Sequence, residues 1–203
     1  KEEEPPFLDI TDKLNKDYKL VTQPLTLERG DVSRGLKRSK NTLSGEMHIG
    51  GQDHFYLEGH VAVAKVIEAE SLLVLSSTQH PTEVQHMVGR VLGFSSNKVL
   101  VKVKRMGGGF GGKETNFLTS SICALLSKKT NHPVKLRMDR DDDIIITGKR
   151  HDFYSEYEVG FDELGVIKGL RLKLASRCGA SPDLSGAINE RALLHIDNAY
   201  YLE

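Results

Sequence analysis

An α+β fold, built from repeated βαβ units with β-hairpins around them, is what this sequence predicts, and three observations predict it. Short apolar strand-like runs alternate with amphipathic helical stretches between residues 60 and 139. The stretch Phe153–Arg177 reads as two strands about a turn at Asp162–Gly165. Unusual turns, "SSTQHP" and "MGGGFGGKE", stand where two strand runs end and two helical runs begin.

The elements follow in order. Residues 1–42 are polar, with prolines at 5, 6 and 24, and read as a connecting arm with short extended pieces. Leu43–Gly59 is β-like around a Gly-Gly break. His60–Val66 and Leu72–Thr78 are the next strands. His80–Phe94 is a helix, because Val84, Met87, Val88, Val91 and Leu92 recur on one face, with Pro81 suited to the first turn and Gly93 to the cap. Lys98–Lys104 is a strand with Val99, Val101 and Val103 on one side and lysines on the other. Thr115–Thr130 is a helix with Leu118, Ile122 and Leu125 expected inward, Pro133–Asp139 a strand, and Asp183–His195 a short helix. Ligands of α/β folds collect beyond the carboxyl ends of strands, so the two unusual turns are expected to face one site.

Composition narrows the classes. The chain of 203 residues, 38% hydrophobic, suits one large or two small globular domains. A formal net charge of zero gives no basic field for nucleic acid. No apolar run is long enough to span a bilayer, and "KEEEPPFL" lacks the pattern of a signal peptide. Cys123 and Cys178 form no C-x-x-C pair, so neither a disulfide nor a zinc site is expected, and a reducing cytoplasm is the expected compartment. The start on "KEEE" without methionine, and the end at Glu203, suggest a piece of something larger.

The loop Met106–Glu114 carries the chemistry. Glycines let backbone N–H groups converge on a ligand, and the following helix adds the positive end of its dipole. That suits an anionic or oxo-rich group. A phosphate P-loop is excluded because Glu114, not Ser or Thr, follows Lys113. The G-x-G-x-x-G pattern from Gly107 to Gly112 matches only because glycine fills nearly every position. A tight turn without ligand remains the plain alternative. For Glu114 that alternative is a charge at a helix N-terminus, and for Arg191 a surface ion pair. Gln52, Asp53, His54 and Glu58 read as a bracing polar network rather than a metal site. His80, His86, His151 and His195 read as structural or exposed. Asp139, Asp141, Asp142 and Asp143 read as helix capping and solvated surface, since the EF-hand positions are missing. Lys102, Lys104, Arg105 and Lys113 read as a solvated strand face.

Taken in order, "SGEMHIGGQDHFYLEG", "SSTQHPTEVQ", "VKRMGGGFGGKET", "DRDDDIIITGKRH" and "NERALLHIDNAYY" resemble the molybdenum-hydroxylase family across residues 43–203. Residues 1–42 resemble the link that precedes the cofactor domain. The resemblance implies that 43–203 is the first part of a molybdopterin-binding domain, with molybdenum held by a pterin dithiolene and no side-chain ligand from the protein. It implies that Gln79 hydrogen-bonds near the metal and that Phe110 presents backbone to it, with Gly109, Gly111 and Gly112 allowing the approach. It implies that Glu114 and Arg191 face the substrate. Aldehyde-oxidising members tend to be apolar at these two positions, so the implied activity is oxidative hydroxylation of purines, hypoxanthine and xanthine to urate, with water as oxygen source. Aldehydes, other N-heterocycles and a non-catalytic relative are the alternatives. The general base, the C-terminal part of the domain, and the iron–sulfur and FAD modules are implied to lie outside this chain, in an oligomeric enzyme, so the chain alone is expected to be inactive. Asn116 and Phe117 depart from the commoner residues after "KET".

Overall fold

In chain order the structure, a computed structural model describing residues 20–68 and 71–202, runs through α1 (Val32–Arg38), β1 (Asn41–Ile49), β2 (Val61–Glu68), β3 (Ser71–Ser76), α2 (Pro81–Leu92), β4 (Val99–Lys102), α3 (Leu118–Thr130), β5 (Val134–Arg137), α4 (Arg140–Ile146), β6 (Phe153–Phe161), β7 (Ile167–Ser176) and α5 (Ser185–Leu194). It divides into two units. One comprises the chain up to Gln52 together with His151 onward, and the other Asp53–Arg150.

The second unit is a four-stranded sheet in the order β4-β3-β2-β5. Alternation along β2 and β3 turns Ala62, Ala64, Leu72 and Val74 into the core, where Val84 and Val88 of α2, Val99 of β4, and Cys123 and Ala124 of α3 meet them. β3 and β4 are parallel and joined by α2, one βαβ unit as expected. The passage β4–α3–β5 crosses the whole sheet instead, since β5 pairs with β2 at the far edge. β2 runs antiparallel to both β3 and β5, so β3, β4 and β5 point the same way.

α2 begins at Pro81 and ends at Gly93, whose φ of 67° supplies the left-handed cap. Val91, expected inward, is exposed. α3 departs further from expectation. Leu118 and Leu125 are exposed, while Thr119, Ser120, Ser121, Cys123, Ala124 and Ser127 are buried. The helix lies close on the sheet, with Cys123 Sγ 3.4 Å from the Ala62 carbonyl and Ser120 Oγ donating to Ser76 Oγ at 2.9 Å. Only small side chains fit between backbones that near.

The first unit is an antiparallel sheet in the order β1-β6-β7. Its hairpin turns where predicted: Asp162 N–H donates to the Val166 carbonyl at 3.1 Å, and Gly165 takes a φ of 80°. Within the segment expected to be an arm with extended pieces, Val32–Arg38 is a helix, capped by Asp31, whose carboxylate accepts from Arg34 N–H at 2.9 Å. The rest of that expectation, before residue 20, lies outside the described residues. Both cysteines are free. Among the described residues no helix is long and apolar enough to cross a membrane.

Candidate functional site

Because β3 and β4 are parallel, the turn Ser77–His80 after β3 and the glycine loop after β4 leave the sheet at the same edge. They are bonded to each other. Gln79 N–H donates to the Lys113 carbonyl at 2.9 Å, and the Thr78 hydroxyl donates to the same oxygen at 3.0 Å. The Gln79 carboxamide oxygen accepts the N–H groups of Gly111 at 2.9 Å and Lys113 at 3.2 Å. Those two donors fix which end of the amide is oxygen. The NH2 end is left without a partner among the described residues, on an exposed side chain.

The loop is tight. Gly112 N–H donates to the Gly109 carbonyl at 2.7 Å, and Phe110 between them stands at a φ of 54°. A non-glycine residue at positive φ stores strain, and such strain gathers at functional positions. Phe110 is 74% exposed. Two of the glycines have a nearer reason than ligand approach. A Cβ on Gly109 would stand 2.6 Å from Gln79 Oε1, and one on Gly112 would stand 2.7 Å from Tyr56 Cε1.

Lys113 is not part of a solvated strand face. Its side chain is fully buried, while Lys102, Lys104 and Arg105 are exposed as expected. An ammonium loses its hydration on burial and needs partners. Lys113 Nζ donates to Glu58 Oε2 at 3.0 Å and to Ser77 Oγ at 2.9 Å, and stands 4.8 Å from the centre of the Tyr56 ring. Glu58 Oε2 also accepts from the Ser77 hydroxyl and from Gly107 N–H at 3.0 Å. Burial alone would raise the Glu58 carboxyl. The hydrogen bonds from Ser77, Gly107 and Lys113, with the Lys113 charge, outweigh it and hold the carboxyl at about 2.

Asp143 is likewise buried rather than solvated. It accepts the Tyr56 hydroxyl at 2.5 Å and His60 N–H at 2.6 Å. Asp139 does cap α4, accepting from Asp142 N–H at 3.0 Å. Burial is the main force lowering the His60 imidazole from its ordinary range. His60 Nε2 lies 3.2 Å from the Gly112 carbonyl, an acceptor, and 3.4 Å from Asn116 Nδ2, a donor. The expected bracing network therefore exists around Glu58 and gains Tyr56, His60, Lys113 and Asp143. The single sequence carried no signal for these four, since burial of a charge is invisible to periodicity. Asp53 pairs with Lys149 at 3.2 Å, and Gln52 falls in the other unit. No group of three metal-binding side chains occurs among the described residues.

Glu114 is half-buried and lies before α3, which has no acidic residue in its first turn, so the helix-charge alternative fails. Its carboxylate has no hydrogen-bond partner among the described residues. Arg191 is exposed in the last turn of α5 and forms no ion pair among the described residues. The two belong to different units. His80, His86 and His195 are exposed, and His151 Nε2 meets Ser185 Oγ at 2.6 Å.

The edge thus offers a directed neutral donor, a strained turn at an exposed residue, Phe110, and an unpaired carboxylate. It suits an oxygen-rich acceptor more than a bare cation. The family model of the molybdopterin cofactor-binding domain matches residues 14–203. The chain is 44% identical over 202 residues to a xanthine dehydrogenase/oxidase of Felis catus, covering 98% of this chain and 15% of the relative. It is 48% identical over 177 residues to that of Gallus gallus, covering 86% of this chain and 13% of the relative. The quinoline 2-oxidoreductase structure from Pseudomonas putida 86 superposes with a TM-score of 0.70 at 22% identity, over 85% of this chain and 23% of that one, a likeness of fold.

Proposed function

We propose that this chain, which belongs to the molybdopterin cofactor-binding domain family, is part of a xanthine-dehydrogenase-like molybdenum hydroxylase that oxidises purines. The observation that carries the reading is the junction of Gln79 with the glycine loop. Identity to xanthine dehydrogenase/oxidase relatives along nearly the whole chain supports the purine over other substrates. The residues fit the cofactor. The free NH2 of Gln79 donates without charge, which suits an oxygen-rich group, and among the described residues no group of three metal-binding side chains occurs. When bound, the molybdenum–molybdopterin group supplies the acceptor for the substrate's electron pair and the oxygen that water replaces.

The chain's own residues then have these roles. Gln79 orients the group by hydrogen bonding, and the backbone about Phe110 closes beside it. Glu114, its carboxylate unpaired, hydrogen-bonds the purine edge. Arg191 stabilises negative charge that builds on the ring during attack. The general base lies outside the chain, as do the C-terminal part of the domain and the iron–sulfur and FAD modules. Residues 1–42 link a preceding domain to the lobe 43–203, the assembly is oligomeric, and its compartment is the cytoplasm. The chain spans 15% of the relative's length, so the isolated chain is inactive in this reading. Metal analysis of the full-length protein, with xanthine hydroxylation measured on the same sample, tests it. Stoichiometric molybdenum and urate production are expected. A full-length protein with neither would mark a non-catalytic relative, and molybdenum with aldehyde turnover alone would move the substrate.

A further inference from the structure

We propose that Glu58 and Lys113 form a clasp that fixes the glycine loop and, through it, the stance of the Gln79 carboxamide. Both are positioning residues for the cofactor edge. What the edge holds rests on the reading above, and the clasp itself does not.

The glycine loop must be held by something outside itself. Glycine has the largest backbone freedom to lose on ordering, and five of the seven residues Gly107–Lys113 are glycine. Glu58 Oε2 meets that need at both ends. It accepts Gly107 N–H where the loop begins and Lys113 Nζ where it ends, each at 3.0 Å. Glu58 N–H returns to the Gly107 carbonyl at 3.0 Å. One carboxylate therefore closes the loop into a ring.

The same lysine reaches the candidate site. Lys113 N–H donates to Gln79 Oε1, and the Lys113 carbonyl accepts Gln79 N–H. Its side chain, buried and held by Glu58, Ser77 and Tyr56, sets where that backbone stands. A lysine serving only to fill the core would be replaceable by an apolar chain of like volume. A lysine whose charge draws both loop ends to one carboxylate would not.

The test is amide hydrogen exchange by mass spectrometry, read on peptides spanning residues 107–113 and on peptides of α2, with urea midpoints alongside. It requires no molybdenum, so its outcome is separate from that of the hydroxylase reading. The variants are Glu58→Gln, Lys113→Met, the two combined, and Gln79→Ala. Each single clasp variant should raise loop exchange about tenfold or more while α2 keeps its protection. Gln79→Ala should raise it too, and combining it with Glu58→Gln should add less than the sum. The double clasp variant removes the unpaired buried charge, so its urea midpoint should recover towards the parent while its loop stays fast. Loop exchange at the parent rate in that double variant would overturn the proposal. So would singles whose loop exchange rises only in step with global unfolding.

Discussion

Gln79 has its carboxamide oxygen tied to two loop N–H groups, which leaves the NH2 end as the donor. Replacement by Ala removes both functions, while Gln79→Glu keeps an acceptor for the loop and removes the donor. In the full-length enzyme Gln79→Glu should lower kcat by about 10- to 100-fold with the melting temperature nearly unchanged, and Gln79→Ala should lower both. Unchanged kinetics with a lowered melting temperature would make Gln79 structural. Acid stability follows from two neighbours. His60 and Glu58 both have folded values below the unfolded ones of 6.5 and 4.5. Their contributions are therefore complete above those values and are lost as pH falls. Urea midpoints should decline as pH drops through 6.5, and again through 4.5 towards about 2. Burial lowers His54 too and adds with the same sign. Glu58→Gln should flatten the lower limb, and a midpoint that stays level from neutral to pH 4 would contradict the assignment. Gln79 and Phe110 were legible as neighbours because each follows a strand. Lys113 and Asp143 were not, because a charged residue reads as solvated until its partners are seen across 55 or 87 residues of chain.

At the scale of elements, punctuation was read more securely than faces. Pro81 and Gly93 bound α2, and Asp162–Gly165 turns the hairpin, because each residue type there meets a local backbone demand. The inward face of α3 was misread because leucines outweigh serines in any hydrophobic pattern. Close approach to β2 selects size over hydrophobicity, and Cys123, Ala124 and Ser127 win. Two substitutions separate those criteria. Ala124→Leu is more apolar yet should cost about 1–3 kcal/mol by overpacking. Ser127 buries a hydroxyl with no partner among the described residues, so Ser127→Ala should be neutral or stabilise by up to about 1 kcal/mol. Urea unfolding of both checks the argument. A clear loss for Ser127→Ala would reveal a partner such as an ordered water.

The whole molecule places Glu114 and Arg191 in separate units, so their assignment to one substrate rests on family resemblance and on each being unpaired. Kinetics can decide it. Charge on the ring grows only as the reaction proceeds, so Arg191 should act mainly in the transition state. In the full-length enzyme Arg191→Met should cut kcat with xanthine strongly while KM changes less. Glu114 meets the purine through hydrogen bonds present already in the bound state, so Glu114→Val should weaken xanthine use and spare or improve an aromatic aldehyde. A site built to hydrogen-bond its substrate loses on the order of 100-fold when a buried partner is left unpaired, well above experimental scatter. Measuring both single variants and the double variant with xanthine and the aldehyde side by side gives the coupling between the two residues directly. Coupling beyond about 0.5 kcal/mol is expected if both touch one ring. Xanthine turnover that survives in the double variant would remove both residues from the substrate pocket and shift the assignment towards aldehydes or other N-heterocycles.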